Sequence, residues 1–349
     1  MANTTPEQVL KALRQVFDPD LGKDIVSAGM VKDVRIEEGE VSFTIELTTP
    51  ACPLRSEFEQ QARRVVQALR GVTEVRVNMS SSTAAHRPQE KRLPDGVKNV
   101  IAVGSGKGGV GKSTVAVNLA VALAKSGAEV GLLDSDVYGP DVPKMMGLHG
   151  RPRVEDKKLV PMESCGVRVM SLGFLVEEET PVIWRGPLVG SIIKQFLEDV
   201  RWGQLDYLVV DLPPGTGDAQ LSLVQLVPVT GVVVVTTPQD VALHDAVKAL
   251  RMFEKVNVPV LGIVENMSYF VCPHCGQRSE IFSHGGARQA AQRLGVAFLG
   301  EVPLDGAIRE GGDLGTPSAA EDNSPLSSAF GKIAGAVASQ VSILNLAGG

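Results

Sequence analysis

The run Gly106-Lys107-Gly108-Gly109-Val110-Gly111-Lys112-Ser113 stands between an apolar stretch, Asn99 to Val103, and a helical pattern, Thr114 to Lys125. This order constrains the fold more than any other feature of the chain. The pattern G-x-x-x-x-G-K-[ST], set between a strand and a helix, places a tight loop at the end of a buried strand with backbone N–H groups turned inward. Gly106, Gly108, Gly109, Val110 and Gly111 then supply backbone around a phosphate chain, and Thr114 opens the helix whose positive end faces it. Lys112 neutralises the β and γ oxygens, and the Ser113 hydroxyl is offered to Mg²⁺.

Short Val-, Ile- and Leu-rich runs recur after the loop between helical stretches: Val130 to Leu133, Tyr207 to Val210, Val232 to Thr236, Pro259 to Val264 and Ala297 to Leu299. Such runs predict an α/β fold, a P-loop NTPase whose mostly parallel sheet is covered by helices on both faces. Aromatics are only 4% of the chain while glycines number 37, as a Val-rich sheet with Gly-built loops requires. Ahead of it, residues 1–80 read as a small α+β domain. Helices are expected over Thr5 to Phe17 and Leu54 to Leu69, and strands over Val31 to Ile36, Glu40 to Leu47 and Thr73 to Val77. A polar, Pro-containing linker covers 81–98, and 99–349 form the nucleotide-binding domain. The net charge of −6 falls entirely after Asn99, where 20 basic residues face 26 acidic ones. Neither nucleic acid nor membrane is therefore an expected partner. No run approaches the roughly 18 to 20 apolar residues of a membrane span, and the N-terminus lacks a basic, apolar leader, so a cytoplasmic location is expected.

Tyr207-Leu208-Val209-Val210-Asp211 is an apolar strand ending in a carboxylate, which suits Asp211 to Mg²⁺ through a water. Asp134 and Asp136 end an earlier strand, and Pro213 to Asp218 form a rigid loop able to sense the γ-phosphate. The four cysteines, Cys52, Cys165, Cys272 and Cys275, are too few for a disulfide framework. Cys272-Pro273-His274-Cys275 brings two thiolates to one metal, and three chemistries fit it: a redox dithiol, a bridging zinc and a bridging iron–sulfur cluster. Zinc and a four-iron cluster both normally need four ligands, and one chain offers two here. A symmetric homodimer would complete the shell.

Taken together, the loop, Asp134 to Pro143, Asp211 to Asp218, Glu265 to Phe270 with the cysteine pair, and Val302 to Asp305 resemble the Mrp/ApbC family of iron–sulfur cluster carrier ATPases of the MinD/ParA type. The N-terminal part, with Asp18 to Gly22, Asp24 to Val26 and Thr49 to Pro53, is similar to the small domain found in cluster-assembly (FSCA-like) factors. The resemblance implies an ATPase with ATP, Mg²⁺ and a [4Fe-4S] cluster as its ligands. It also implies a homodimer, with cluster donors and apo iron–sulfur proteins as partners. Lys107 would reach the partner's nucleotide, Asp136 would orient the attacking water and Asp134 would lie near Mg²⁺. Asn266 and the backbone at Pro303 would contact adenine. Cys52 becomes either an accessory cluster-handling thiol, its acidity raised by a helix N-terminus, or a buried inert cysteine. Cys165 matches nothing in the pattern and reads as structural.

Two other classes compete. A MinD- or ParA-like positioning ATPase should end in a basic amphipathic helix or carry basic surface, but Lys332 is the one charged residue from Asn323 to Gly349. A zinc-stapled ATPase chaperone should carry a Met-rich helical insertion, and the stretch from Met145 to Trp184 has few such residues.

Overall fold

The computed structural model describes residues 4–86, 93–136, 139–175 and 186–347; the side chains of 186–189, 218 and 219 are outside that description. Residues 87–92 of the expected linker, Val137 and Tyr138 after Asp136, and most of the tail of the Met145 to Trp184 stretch therefore lie outside it, as does the side chain of Asp218. The chain divides into two compact units, 1–84 with 338–349, and 85–337.

In the first unit, helix α1 (Pro6–Leu13) starts on a reciprocal cap. The Thr5 hydroxyl accepts the Gln8 N–H, and the Gln8 side chain accepts the Thr5 N–H. It ends earlier than the helical pattern suggests, because Phe17 enters a two-residue ladder, β1 (Phe17–Asp18) with β2 (Lys23–Asp24). Strands β3 (Val31–Glu37) and β4 (Glu40–Leu47) are antiparallel around the two-residue turn Glu38-Gly39, with φ of 47° and 90°. After helix α2 (Arg55–Gln67), β5 (Glu74–Ser81) pairs parallel with β4. Alternate β4 residues Val41, Phe43, Ile45 and Leu47 are buried with Phe58, Ala62 and Val66 of α2. The last turns of the C-terminal helix also belong to this unit: the Ser339 hydroxyl donates to Asp20, and the Asn345 amide donates to the Ala84 carbonyl at 3.1 Å. By their contacts, residues 338–349 group with residues 1–84 rather than with the rest of the part after 99. The interval between β5 and the next strand is also shorter than 81–98.

The second unit runs β6 (Val97–Ser105), α3 (Lys112–Lys125), β7 (Val130–Asp134), α4 (Val142–Met145), β8 (Val154–Glu155), β9 (Lys158–Leu159), β10 (Met162–Ser164) and β11 (Val167–Ser171). It continues with α5 (Gly186–Glu198), β12 (Leu205–Asp211), α6 (Asp218–Leu226), β13 (Gly231–Thr236), α7 (Asp240–Lys255), β14 (Val260–Glu265), β15 (Phe270–Val271) and β16 (Arg278–Ser279). Last come α8 (Gly286–Leu294), β17 (Phe298–Glu301), α9 (Gly306–Leu314) and the start of α10 (Pro325–Ala347). The main sheet has eight strands in the order β10-β11-β7-β12-β6-β13-β14-β17, all parallel except β10. Every residue of β7 and β13 is buried. Since strand side chains alternate between faces, both faces of the sheet are covered. The β10–β11 edge is absent from the sequence reading: its apolar run is short and its alternation is broken by Cys165 and Gly166 in the turn. Helix α10 is long and apolar enough to cross a membrane by length and composition, although no continuous apolar run reveals it. Its Ala, Val, Ile and Leu residues, interrupted by Gly and Ser, bring it there, and its Phe330, Ile333, Val337 and Val341 are buried.

Candidate functional site

Strand order puts β6 between β12 and β13, so the loop after β6 emerges beside the carboxyl ends of β7 and β12, at the crevice where open parallel sheets bind ligands. Two glycines there are irreplaceable for separate reasons. A Cβ on Gly106 would collide with the Asp245 carbonyl of α7, whereas Gly111 combines φ of 81° with a close approach to the Asn266 side-chain amide. Gly111→Ala is expected to cost about 2 kcal/mol of stability, read from denaturant unfolding, because both the left-handed backbone and the Asn266 contact are lost.

The Lys112 ammonium, buried, lies 2.6 Å from Asp211 Oδ1, 3.8 Å from Asp136 Oδ2 and 3.1 Å from the Ser113 hydroxyl. Asp134 stands behind it, accepting from the Ser171 hydroxyl (2.8 Å) and from the Asp136 N–H (3.1 Å). Ser135 locks the strand ends together by donating its hydroxyl and its N–H to the Asp211 carbonyl. Asp211 Oδ2 is buried without a hydrogen-bond partner. An orphaned carboxylate oxygen and a hydroxyl are hard oxygen donors of the kind Mg²⁺ takes, so Ser113 and Asp211 fit it as a donor pair, and the opposing Lys112 charge is one that phosphate would offset. Lys107 is exposed, with its carbonyl held by the Ser105 hydroxyl at 2.9 Å.

Complete burial, and then the neighbouring Asp211 charge, push the Asp134 carboxyl well above its ordinary 3.8, against the opposing Ser171 hydrogen bond and Lys112 charge. The folded state thus binds this proton more tightly than the unfolded chain. Its contribution to stability is full below 3.8 and is lost as pH rises through the raised value. Asp134→Asn removes the charge; its amide oxygen keeps the bond from the Asp136 N–H, and its NH2 group can donate to the Ser171 hydroxyl with the direction reversed. Its stability relative to the parent is expected to improve steadily as pH rises from 4 to 8; a difference flat in pH contradicts this.

Thr114, Asn266 and Pro303 line one cavity of about 360 Å³ with Met145, Ile308 and Arg309. The Asn266 side-chain amide donates to the Val110 carbonyl at 2.8 Å, so this residue also braces the glycine loop. That second task, and the contributions of α4 and α9 to the cavity, are not legible in the sequence, where nothing ties those helices to the loop. Ser171, which holds Asp134, is hidden for the same reason.

Cys272 and Cys275 sit at the tip of the β15–β16 hairpin, closed by Cys272 N–H to the Gln277 carbonyl (3.0 Å) and Gly276 N–H to the Cys272 carbonyl (2.8 Å). The backbone N–H groups of Cys275 and His274, with the Cys275 thiol, pull the Cys272 thiol below the ordinary cysteine value, the direction metal binding needs. Among the described residues no third His, Cys, Asp or Glu joins the pair in a metal-sized group. Cys165, in the exposed β10–β11 turn at φ 51°, and Cys52, in the first unit, are not part of it. Of the two readings of Cys52, its surroundings favour the buried thiol: burial pushes it upward, reinforced by the Asp18 and Asp20 charges, and the hydrogen bond from the Leu54 N–H opposes this only partly.

Residues 96–338 match the family model for NUBPL iron-transfer P-loop NTPases, and residues 6–77 match that for an iron–sulfur cluster assembly protein. The chain is 50% identical to an iron–sulfur cluster carrier protein of Synechocystis, covering 98% of this chain and 99% of that one. It is 48% identical to one of Deinococcus radiodurans, over 97% of both chains. Among solved structures it is similar to a nucleotide-binding protein of Archaeoglobus fulgidus in complex with ADP, with 43% identity and a TM-score of 0.59. That match covers 66% of this chain and 91% of the other. The cell-division ATPase MinD of Pyrococcus furiosus, at 24% identity and a TM-score of 0.53 over 68% of this chain and 98% of that one, shares the fold. The chain belongs to the NUBPL iron-transfer family of P-loop NTPases, with an iron–sulfur cluster assembly domain in front.

Proposed function

We propose that this protein is an ATP-hydrolysing carrier that takes a [4Fe-4S] cluster between two copies of itself and passes it to apo-proteins. The observation that carries the reading is the two-ligand cysteine hairpin in a chain that also has a complete phosphate-binding loop. Two hairpins related by a two-fold axis would supply the four thiolates that one chain lacks. The names of the relatives, iron–sulfur cluster carrier proteins, support the same cargo.

In this reading the loop backbone from Gly106 to Thr114 cradles the ATP phosphates and Lys112 neutralises the transferring group. Mg²⁺, held through Ser113 and Asp211 with Asp134 behind, would supply charge compensation for the phosphates. Asp136 orients the attacking water, Lys107 reaches the partner's nucleotide, and Asn266 with Pro303 binds the base. Lys112 is also ion-paired with Asp211, which fixes the ammonium between the loop and the end of β12. ATP binding and hydrolysis at this site would bias the dimer between holding and releasing cargo. The division into 1–80, 81–98 and 99–349 assigns the first part to cluster handling, with Cys52 in an accessory place.

Anaerobic incubation of the full chain with ferrous iron and sulfide tests the cargo. A brown chromophore on a dimer, with about four irons per two chains, is expected. Stoichiometric zinc with no bound iron would overturn it in favour of a zinc-stapled ATPase. Binding to DNA or anionic vesicles at low salt, the mark of a positioning ATPase, is expected to be negligible.

A further inference from the structure

Three elements converge on Glu265 at the end of β14. Its carboxylate accepts from the Ser268 hydroxyl (2.6 Å) and from the N–H groups of Gly285 (3.0 Å) and Ala287 (2.7 Å). Beside it Glu301, ending β17, places Oε2 3.0 Å from His284 Nε2. The same ring nitrogen lies 2.7 Å from the guanidinium of Arg278, on the far strand of the cysteine hairpin, and that guanidinium covers the Tyr269 ring at 3.9 Å. Glu280 approaches the other ring nitrogen, Nδ1, at 3.7 Å.

Glu265, His284 and Glu301 have the spacing of a three-ligand metal group. The surrounding bonds disfavour that use, since three donors already occupy the Glu265 carboxylate and Arg278 supplies a cation at the histidine nitrogen. A different consequence follows from His284 itself. An uncharged imidazole Nε2 carries either a proton or a lone pair. With the proton it donates to Glu301 and cannot accept from Arg278; with the lone pair it accepts from Arg278 and faces the Glu301 carboxylate unfavourably. The two competitors sit on different elements. Arg278 belongs to the cysteine hairpin, three residues beyond Cys275. Glu301 belongs to the strand whose continuation, through Pro303, lines the cavity, and which is tied to the hairpin's base by Ser268 N–H to the Val302 carbonyl (2.9 Å) and Leu304 N–H to the Tyr269 carbonyl (2.7 Å). Asn266, next to Glu265, holds the Val110 carbonyl of the glycine loop.

We propose that His284 is a positioning residue for the cysteine hairpin, and that its Nε2 exchanges between Arg278 and Glu301 to set the hairpin in one of two attitudes against the nucleotide-binding end of the sheet. This rests on Cys272 and Cys275 being the metal ligands and the glycine loop being the nucleotide site. The exchange is the point at which nucleotide occupancy and the presentation of the two thiolates meet.

The test is backbone hydrogen exchange of residues 270–279 in the full chain, free of iron and zinc, with and without a non-hydrolysable ATP analogue and Mg²⁺. In the parent, nucleotide is expected to change hairpin exchange by about tenfold, the factor carried by one charge-assisted hydrogen bond. His284→Ala should raise exchange by a similar factor and erase the nucleotide difference. His284→Gln, whose amide can donate to Glu301 and accept from Arg278 at once, should keep exchange low and still erase that difference. Glu280→Gln should leave both unchanged. If His284→Ala does not fold, the Gln variant decides alone. A nucleotide difference that survives in His284→Gln, or is absent from the parent, overturns the proposal. Because neither iron nor zinc is present, the result is independent of whether the protein carries iron, which the reconstitution decides separately.

Discussion

Replacing Lys112 by Ala is expected to lower MgATP hydrolysis by about a thousandfold or more and to cost about 3 kcal/mol of stability. The first effect follows from removing the charge that faces the transferring phosphoryl group. The second follows from the ion pair, in which the buried ammonium touches Asp211 at 2.6 Å, lies 3.8 Å from Asp136 and has Asp134 behind it. Without it three acidic side chains share a buried site with no cation. Asp134 loses the Lys112 charge that opposes its raised proton affinity, so the stability deficit should be larger near pH 8 than near pH 5. Lys112→Arg keeps the charge but not the compact ammonium, and should recover stability more than hydrolysis. Urea unfolding at the two pH values, with phosphate release at neutral pH, checks both halves. An alanine variant as stable as the parent at pH 8 would show that the ion pair is not formed in solution.

Cys272→Ser and Cys275→Ser, each alone, are expected to lower the iron retained after anaerobic reconstitution by about tenfold or more. One lost ligand per chain removes two of the four in a shared site, which is a heavier loss than in a site built within one chain. Hydrolysis should stay within about twofold, since the hairpin lies outside the phosphate-binding loop. Cys52→Ser should leave the reconstituted chromophore unchanged, because burial pushes that thiol up, away from the thiolate form a metal takes. Iron content by colorimetry and the visible spectrum distinguish these outcomes.

The nucleotide loop was legible because its chemistry is local: residues 106–114 carry strand end, turn and helix start in one contiguous stretch. The carboxylates Asp134 and Asp211 were legible because each ends a continuous apolar strand, and a parallel sheet brings such ends together. What stayed hidden is non-local. The brace from Asn266 to Val110 spans 156 residues, and the Ser171 bond to Asp134 spans 37. No periodicity records such pairs. The last turns of α10 grouped with the first unit for the same reason, through side chains at Ser339 and Asn345 that look like ordinary surface residues in sequence. Cys52 stayed open between two readings because its place before a helix is visible in sequence, whereas the burial that outweighs the helix end is not.

The central claim is that nucleotide turnover governs cargo delivery, and transfer of the cluster from the reconstituted full chain to an apo four-iron acceptor protein, followed as recovery of the acceptor's activity, tests it most directly. With the parent chain, MgATP is expected to change the transfer rate, whereas with Lys112→Ala the rate should be indifferent to MgATP. Delivery by Lys112→Ala at the parent's rate in the presence of MgATP would contradict it.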